Sequence, residues 1–380
     1  MSIQLLNTNT DSFWAHISLD QWNDWRWQLK NRIYDYSELC HLIGLREEHL
    51  VDIASITKRY PMAVTPYIIN EMFKCLQVGD IDGFNILRKI YLPDIKEINS
   101  FSDSPIVGTG EDVGSPVSNC YQFFPDRVVI RLTSLCPSMC RYCFVRNKVG
   151  PTGKLISNEN LEMVIQYIKE TSSIRDVIIS GGEPLLISDS ALESVLKKFR
   201  SISHVEILRI DSKAPNSLPQ RITPNLVKLL TQFKPIYLNT HIVNPIELTA
   251  DMISACSLLA DAGIILGAHI PLLSGINDSP EIIEKLVLNL LKNRIRPYML
   301  IHYIKTDGAD HFATTVEKGI EIIENIWGKV SGLAIPTYVL YLPKGGGKVP
   351  LVPQYVLKKE GGKFHLKNFE GKIFQYEVPI

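Results

Sequence analysis

The chain has 380 residues, and its 40 Lys and Arg balance 40 Asp and Glu, so the formal net charge is zero. That balance removes the simplest case for a nucleic-acid partner or an anionic membrane surface, because phosphate binding leaves an excess of basic residues. No stretch is long and apolar enough for a transmembrane helix, and the start, MSIQLLNTNTDSFW, lacks the basic and apolar regions of a secretory signal. Seven cysteines without such a signal point to the reducing cytosol, and to metal or catalytic work for any that cluster.

Residues 1–118 read as a helical arm and linker. Ser18 with Gln21 forms a capping-box pattern ahead of Trp22, Trp25 and Trp27, and the pattern predicts one helix running to Arg32 or beyond. The tryptophans are expected to be packing anchors. A stretch rich in Ser, Gly, Pro and Asp from Ile98 to Ser118 reads as a loop. Residues 119–330 change rhythm. Strands are expected at Arg127–Thr133, Asp176–Ser180, Val205–Ile210, Ile236–Thr240, Ile264–Ala268 and Pro297–Tyr303. The helices between and after them are expected at Leu161–Lys169, Ala191–Arg200, Pro224–Phe233, Ala250–Ala262, Pro280–Lys292 and Thr315–Ile326. Six strand–helix units in series predict a parallel sheet with right-handed crossovers, either open or curled into a partial barrel. Residues 331–380 should hold a last strand, Ile335–Leu342, a glycine-rich turn and a small antiparallel tail.

The strongest chemical signal is Cys136-Pro-Ser-Met-Cys140-Arg-Tyr-Cys143, directly after the first strand of the repeat. Three thiolates on one loop can hold three irons of a [4Fe–4S] cluster and leave the fourth open to a small molecule. A zinc site with a distant fourth ligand is the competing reading, but zinc usually pairs its cysteines as CxxC with a second CxxC. Cys40, Cys75, Cys120 and Cys256 are scattered and offer no second pair. At the end of the second strand stands Ser180-Gly181-Gly182-Glu183-Pro184. That edge of a parallel α/β sheet is where ligands bind, and two glycines permit close approach to the backbone.

The CxxxCxxC loop followed by this GGEP turn resembles the radical S-adenosylmethionine superfamily, and Tyr142 before the third cysteine fits the same pattern. The resemblance implies an α/β fold with a partial (βα)6 TIM-like barrel. It also implies that Ser180, Gly181, Gly182 and Glu183 bind S-adenosylmethionine, which is cleaved to a 5′-deoxyadenosyl radical that abstracts hydrogen from a substrate. An external one-electron donor, a flavodoxin or a ferredoxin-like protein, is implied as well.

Farther along, Pro343-Lys344-Gly345-Gly346-Gly347-Lys348 places a lysine beside three glycines. It is not a phosphate loop, because Val349 stands where Ser or Thr is required. Together with Asp24-Trp25-Arg26-Trp27-Gln28, Pro125-Asp126-Arg127-Val128, Leu218-Pro219-Gln220-Arg221-Ile222-Thr223, Asn239-Thr240-His241, Lys318-Gly319-Ile320-Glu321 and Lys367-Asn368-Phe369-Glu370-Gly371, it is similar to the lysine 2,3-aminomutase family over nearly the whole chain. In that family the lysine matching Lys348 carries pyridoxal 5′-phosphate, so this chain is expected to be an isomerase that moves an amino group between adjacent carbons. Self-association is common in the family.

Departures from the family pattern bear on the substrate. Val145 stands where an arginine grips the substrate carboxylate, with Arg146 one residue on. Ile304 and Tyr341 stand where two aspartates grip the distal amine of lysine, and neither can neutralise an ammonium. Phe123 replaces an arginine, Lys213 another, and His269 a glutamine around the cofactor phosphate. No cysteine follows Cys256, so the family's C-terminal zinc ligands are missing. The resulting expectation is a cytoplasmic enzyme acting on a non-lysine amino acid or amine. Two alternatives stay open: elimination, oxidation or epimerisation without amino migration, and action on a protein- or carrier-bound residue. A non-catalytic iron–sulfur sensor is disfavoured, since it has no use for the GGEP and GGGK motifs.

Overall fold

Amphipathic spacing and well-placed caps account for most of the helices. The computed structural model describes residues 14, 16–44, 50–100 and 114–377, so most of the loop expected at Ile98–Ser118 lies outside the described residues. In the arm, Ser18 and Gln21 form the expected capping box at the start of α1 (Leu19–Asn23). The single long helix expected there is broken. Asp24 turns its side chain onto the Arg26 amide and caps a second helix, α2 (Trp25–Lys30), a local bond that competes with helix continuation. Trp22 and Trp27 pack on Trp14, and Trp25 stacks against Arg26 and Arg221. Four more helices complete the arm: α3 (Tyr36–Ile43), α4 (Leu50–Arg59), α5 (Pro66–Gln77) and α6 (Ile81–Tyr91).

One sheet of nine strands follows, with its strands in chain order. It opens on β1 (Cys120–Phe124), an antiparallel edge strand that precedes the first strand expected from sequence. Six strand–helix units come next: β2 (Arg127–Thr133) and α7 (Asn158–Glu170); β3 (Asp176–Gly181) and α8 (Asp189–Arg200); β4 (Ile207–Ser212), with a short α9 (Ala214–Ser217) before α10 (Pro224–Leu230). Then come β5 (Ile236–His241) and α11 (Ala250–Asp261), β6 (Ile265–Pro271) and α12 (Pro280–Lys292), and β7 (Ile295–Ile301) and α13 (Val316–Ile326). A seventh parallel strand, β8 (Thr337–Tyr341), and the antiparallel β9 (Lys348–Pro350) close the run. The result is a curled, partial (βα)6 barrel. The tail folds as a separate three-stranded antiparallel sheet: β10 (Val356–Glu360), β11 (Lys363–Lys367) and β12 (Ile373–Glu377).

Two apolar cores hold this together. The larger lies between the parallel sheet and its helices, where Val164, Leu196, Leu226, Leu259 and Leu286 meet outward-facing strand residues such as Val177 and Leu208. The second joins the arm to the barrel, packing Leu39, Tyr67, Phe84 and Tyr91 on Val243, Leu273 and Phe312 from barrel loops. The arm therefore buries its apolar face on the rim of the barrel. Among the described residues no helix is long and apolar enough to cross a membrane.

Candidate active site

The cysteine loop leaves the end of β2 and is held from behind by the arm. Arg32 donates to the Cys136 carbonyl at 2.9 Å. The Met139 amide donates to Ala63 at 2.9 Å, and the Arg141 amide to Ile90 at 2.8 Å. These bonds place Cys136, Cys140 and Cys143 on the wall of one cavity at the open end of the barrel, none of them in a disulfide. Burial, and then the neighbouring Cys143 and Cys140, push the Cys136 thiol well above its usual range. Among the described residues no three His, Cys, Asp or Glu side chains converge on a position for a single metal ion. Three soft donors on one loop suit an iron–sulfur cluster.

The GGEP turn meets this loop directly. The Gly182 amide donates to Thr133 at 2.6 Å and the Glu183 amide to Leu135 at 2.7 Å. Gly181 adopts φ +121°, and a Cβ on Gly182 would lie 2.3 Å from the Leu135 carbonyl oxygen. The glycines are therefore required by the chain's own backbone, which crosses where a side chain would stand. Gly182→Ala must separate the two loops and should cost at least about 1–3 kcal/mol of stability, read by denaturant unfolding. A variant with an unchanged midpoint would show that the loops give way freely.

Glu183 is buried and heavily engaged. Its carboxylate accepts from Ser212 Oγ at 2.8 Å and from the amides of Leu185 at 3.0 Å and Lys213 at 2.8 Å. Burial pushes this carboxyl up, and its hydrogen-bond donors oppose that. Three of about four acceptor positions are used, two of them tying the end of β3 to the end of β4 and one capping the turn at Leu185, leaving little for an incoming ammonium. Lys213 lines the cavity, but its amine pairs with Glu247 and donates to the His241 carbonyl at 2.9 Å.

Lys348 enters the same cavity from β9. It sits opposite Tyr341 in the antiparallel β8–β9 pair, with Nζ 4.8 Å from the Tyr341 ring and 3.8 Å from Met299 Sδ. It forms no ion pair among the described residues. Burial works to lower its pKa, but Tyr341 and then Asp211 outweigh it, so the net direction is upward.

His269 is sandwiched between His241 and Tyr298, with ring centroids 5.3 and 5.5 Å away and the planes 23° and 27° apart. Its Nδ1 lies 3.2 Å from His241 Nε2, while its own Nε2 is buried without a hydrogen-bond partner. Burial holds both rings neutral, His241 down at about 4 and His269 at about 3. Unfolded histidines take up a proton near pH 6.5, so the unfolded chain binds more protons below that pH. The stability contributed by the neutral pair is complete above about pH 6.5 and is lost as pH falls toward 4. The unfolding midpoint should therefore drop on acidification to about pH 5, and His269→Gln should flatten the dependence. An equally steep fall in the variant would refute that assignment.

Val145, Ile304 and Tyr341 all line the cavity, as does Phe123. Arg146 does not. Sequence reading missed Asp211, which accepts from Asn239 at 3.0 Å, together with His241 and Tyr298 as cavity residues. The available signal was alternation along β4: Leu208 and Ile210 point into the core, and Arg209 and Asp211 into the cavity.

The radical SAM superfamily model matches residues 130–287, and the model described as Lysine-2,3-aminomutase matches residues 323–380. The L-lysine 2,3-aminomutase of Acetoanaerobium sticklandii is 41% identical over 97% of this chain and 88% of its own length. That of Clostridium subterminale is 42% identical over 96% of this chain and 86% of its own. The glutamate 2,3-aminomutase of Clostridioides difficile is 34% identical over 94% and 83%. A match of this identity along almost the whole length of both chains makes the protein a member of the lysine 2,3-aminomutase family, within the radical S-adenosylmethionine superfamily.

Proposed function

We propose that this chain moves an amino group between adjacent carbons of an amino acid or amine other than lysine, with pyridoxal 5′-phosphate held on Lys348. The observation that carries the reading is the convergence of Lys348, the three cysteines and the Ser180–Glu183 turn on one cavity. When bound, the cluster and S-adenosylmethionine supply the 5′-deoxyadenosyl radical, and pyridoxal phosphate supplies the carbonyl that carries the nitrogen. Cys136, Cys140 and Cys143 would hold the cluster, and Ser180, Gly181, Gly182 and Glu183 the S-adenosylmethionine. Lys213 and His269 are the candidates for the cofactor phosphate. Lys213 is already paired with Glu247, so His269, with its unpartnered Nε2, is the more available.

The substrate end is defined by Val145, Ile304 and Tyr341. None is a carboxylate or a basic side chain. A lysine ammonium against Ile304 and Tyr341 would be buried without an acid, at a cost of several kcal/mol. An uncharged or aromatic side chain, or a molecule without a free carboxylate, suits that wall. Phe144 stacks near Tyr341 at 6.3 Å and adds to its aromatic character.

The test is anaerobic reconstitution with iron, sulfide and pyridoxal phosphate, then incubation with a panel of amino acids and amines under a strong reductant. Mass spectrometry follows 5′-deoxyadenosine and an isomer of equal mass. Uptake of a cluster but no pyridoxal phosphate would sink the aminomutase reading. Preferential turnover of lysine would sink the substrate assignment. A product of altered mass would favour elimination or oxidation instead.

A further inference from the structure

Behind the cysteine loop lies a buried charge network that the chemistry above does not use. Glu97, from the last turn of the arm, is fully buried. It accepts from Arg141 Nε at 2.9 Å and Nη2 at 2.6 Å, and from Arg146 Nη2 at 2.7 Å. Both arginine side chains are at most 3% exposed, and neither lines the cavity. Arg141 is the residue after Cys140, one Cα step of about 3.8 Å along the chain. Arg146 is three after Cys143 and donates from Nη1 to the Arg141 carbonyl at 3.1 Å.

The remaining donors go to neutral groups. Arg141 Nη1 reaches the carbonyls of Tyr60 and Pro61 at 3.3 and 3.2 Å, and Arg146 Nη1 reaches Gly308 at 3.3 Å. The Arg146 guanidinium also lies 3.8 Å over the Tyr60 ring. The nearby Asp307 is neutralised by Arg59 and bonded to the Tyr60 hydroxyl. One carboxylate thus faces two guanidiniums, so the triad itself carries one surplus positive charge beside the loop. Stability does not require such a triad, because apolar residues of similar volume serve as well or better.

We propose that Glu97 is a positioning residue for the iron–sulfur cluster, holding Arg141 and Arg146 against the cysteine loop so that their surplus positive charge raises the cluster's reduction potential. This rests on the reading of Cys136, Cys140 and Cys143 as cluster ligands. Reduction adds an electron to the cluster, and a fixed positive charge in a low-dielectric setting favours the reduced form. The network also ties electron acceptance to the arm, since Glu97 and the Tyr60 and Pro61 carbonyls all belong to it.

The test is a redox titration of the reconstituted protein, followed by the paramagnetic resonance of the reduced cluster, with iron and sulfide counted per chain. Arg146→Met leaves the neutral Glu97–Arg141 pair and should lower the potential. Glu97→Gln leaves two positive charges and should raise it. The double variant restores one surplus charge and should return near the unmodified value, and Arg146→Lys should stay there throughout. Opposite shifts with recovery in the double variant support the proposal, because structural loosening has no reason to change sign with charge. Shifts of the same sign, or no shift at full iron content, overturn it. If one single variant cannot be loaded with iron, the sign of the other and the recovery decide. If none of the single variants holds iron, the network is a folding element and the proposal fails. Unmodified protein that takes up no four-iron cluster would instead defeat the underlying ligand reading.

Discussion

Replacing Cys140 with alanine should strip most of the iron from reconstituted protein and lower 5′-deoxyadenosine formation by at least about 10³-fold, roughly 4 kcal/mol in barrier. The loop that carries Cys140 is held through backbone and arginine contacts, among them Met139 to Ala63 and Arg141 to Glu97. None of these uses the thiol, so the variant should keep its circular dichroism and unfolding midpoint. If the three cysteines hold the cluster, the two that remain would be too few to retain it. Cys256→Ala is the matched control. That thiol is buried in the barrel core, so its loss should cost stability and leave the iron count unchanged. Full iron content and activity in Cys140→Ala would remove this loop as the cluster site.

Lys348→Ala should abolish the visible absorbance of lysine-bound pyridoxal phosphate and reduce amino migration by at least about 10³-fold, within the range expected for loss of a covalent anchor. Cleavage of S-adenosylmethionine without turnover should continue, because the cysteines and the GGEP turn lie on other strands. Retention of the absorbance in this variant would place the cofactor on another amine, and Lys213 would be examined next by the same measurement.

The parts legible in sequence are those in which neighbours along the chain do the work. Strand β2 and helix α12 fall at their expected limits, Arg127–Thr133 and Pro280–Lys292. Strand β7 lies two residues earlier than expected because Pro297 reads as a strand opener. In the structure Pro297 sits inside the strand, and the ladder to β6 is irregular at Ala268 and His269, where a proline amide is lacking. The cysteines and the GGEP turn were visible because their spacing is itself the chemistry. Asp211, Tyr298 and the Glu97 triad were not, because partners separated by tens of residues leave no periodic trace. The roles of the two glycines also shift: Leu135 and Thr133 need the space that a ligand was expected to fill.

One consequence follows from the pairing of β8 with β9. Tyr341, proposed above to face the substrate, is the cross-strand partner of Lys348, and its ring stands beside the lysine amine. Opposed residues on such a ribbon respond to one another's bulk and polarity. A change of diet at position 341 is therefore also a change in the neighbourhood of the nitrogen at 348. New specificities in this lineage should arise as coordinated pairs of substitutions on the ribbon, and an aspartate grafted alone at Tyr341 should disturb cofactor attachment before it wins a new substrate.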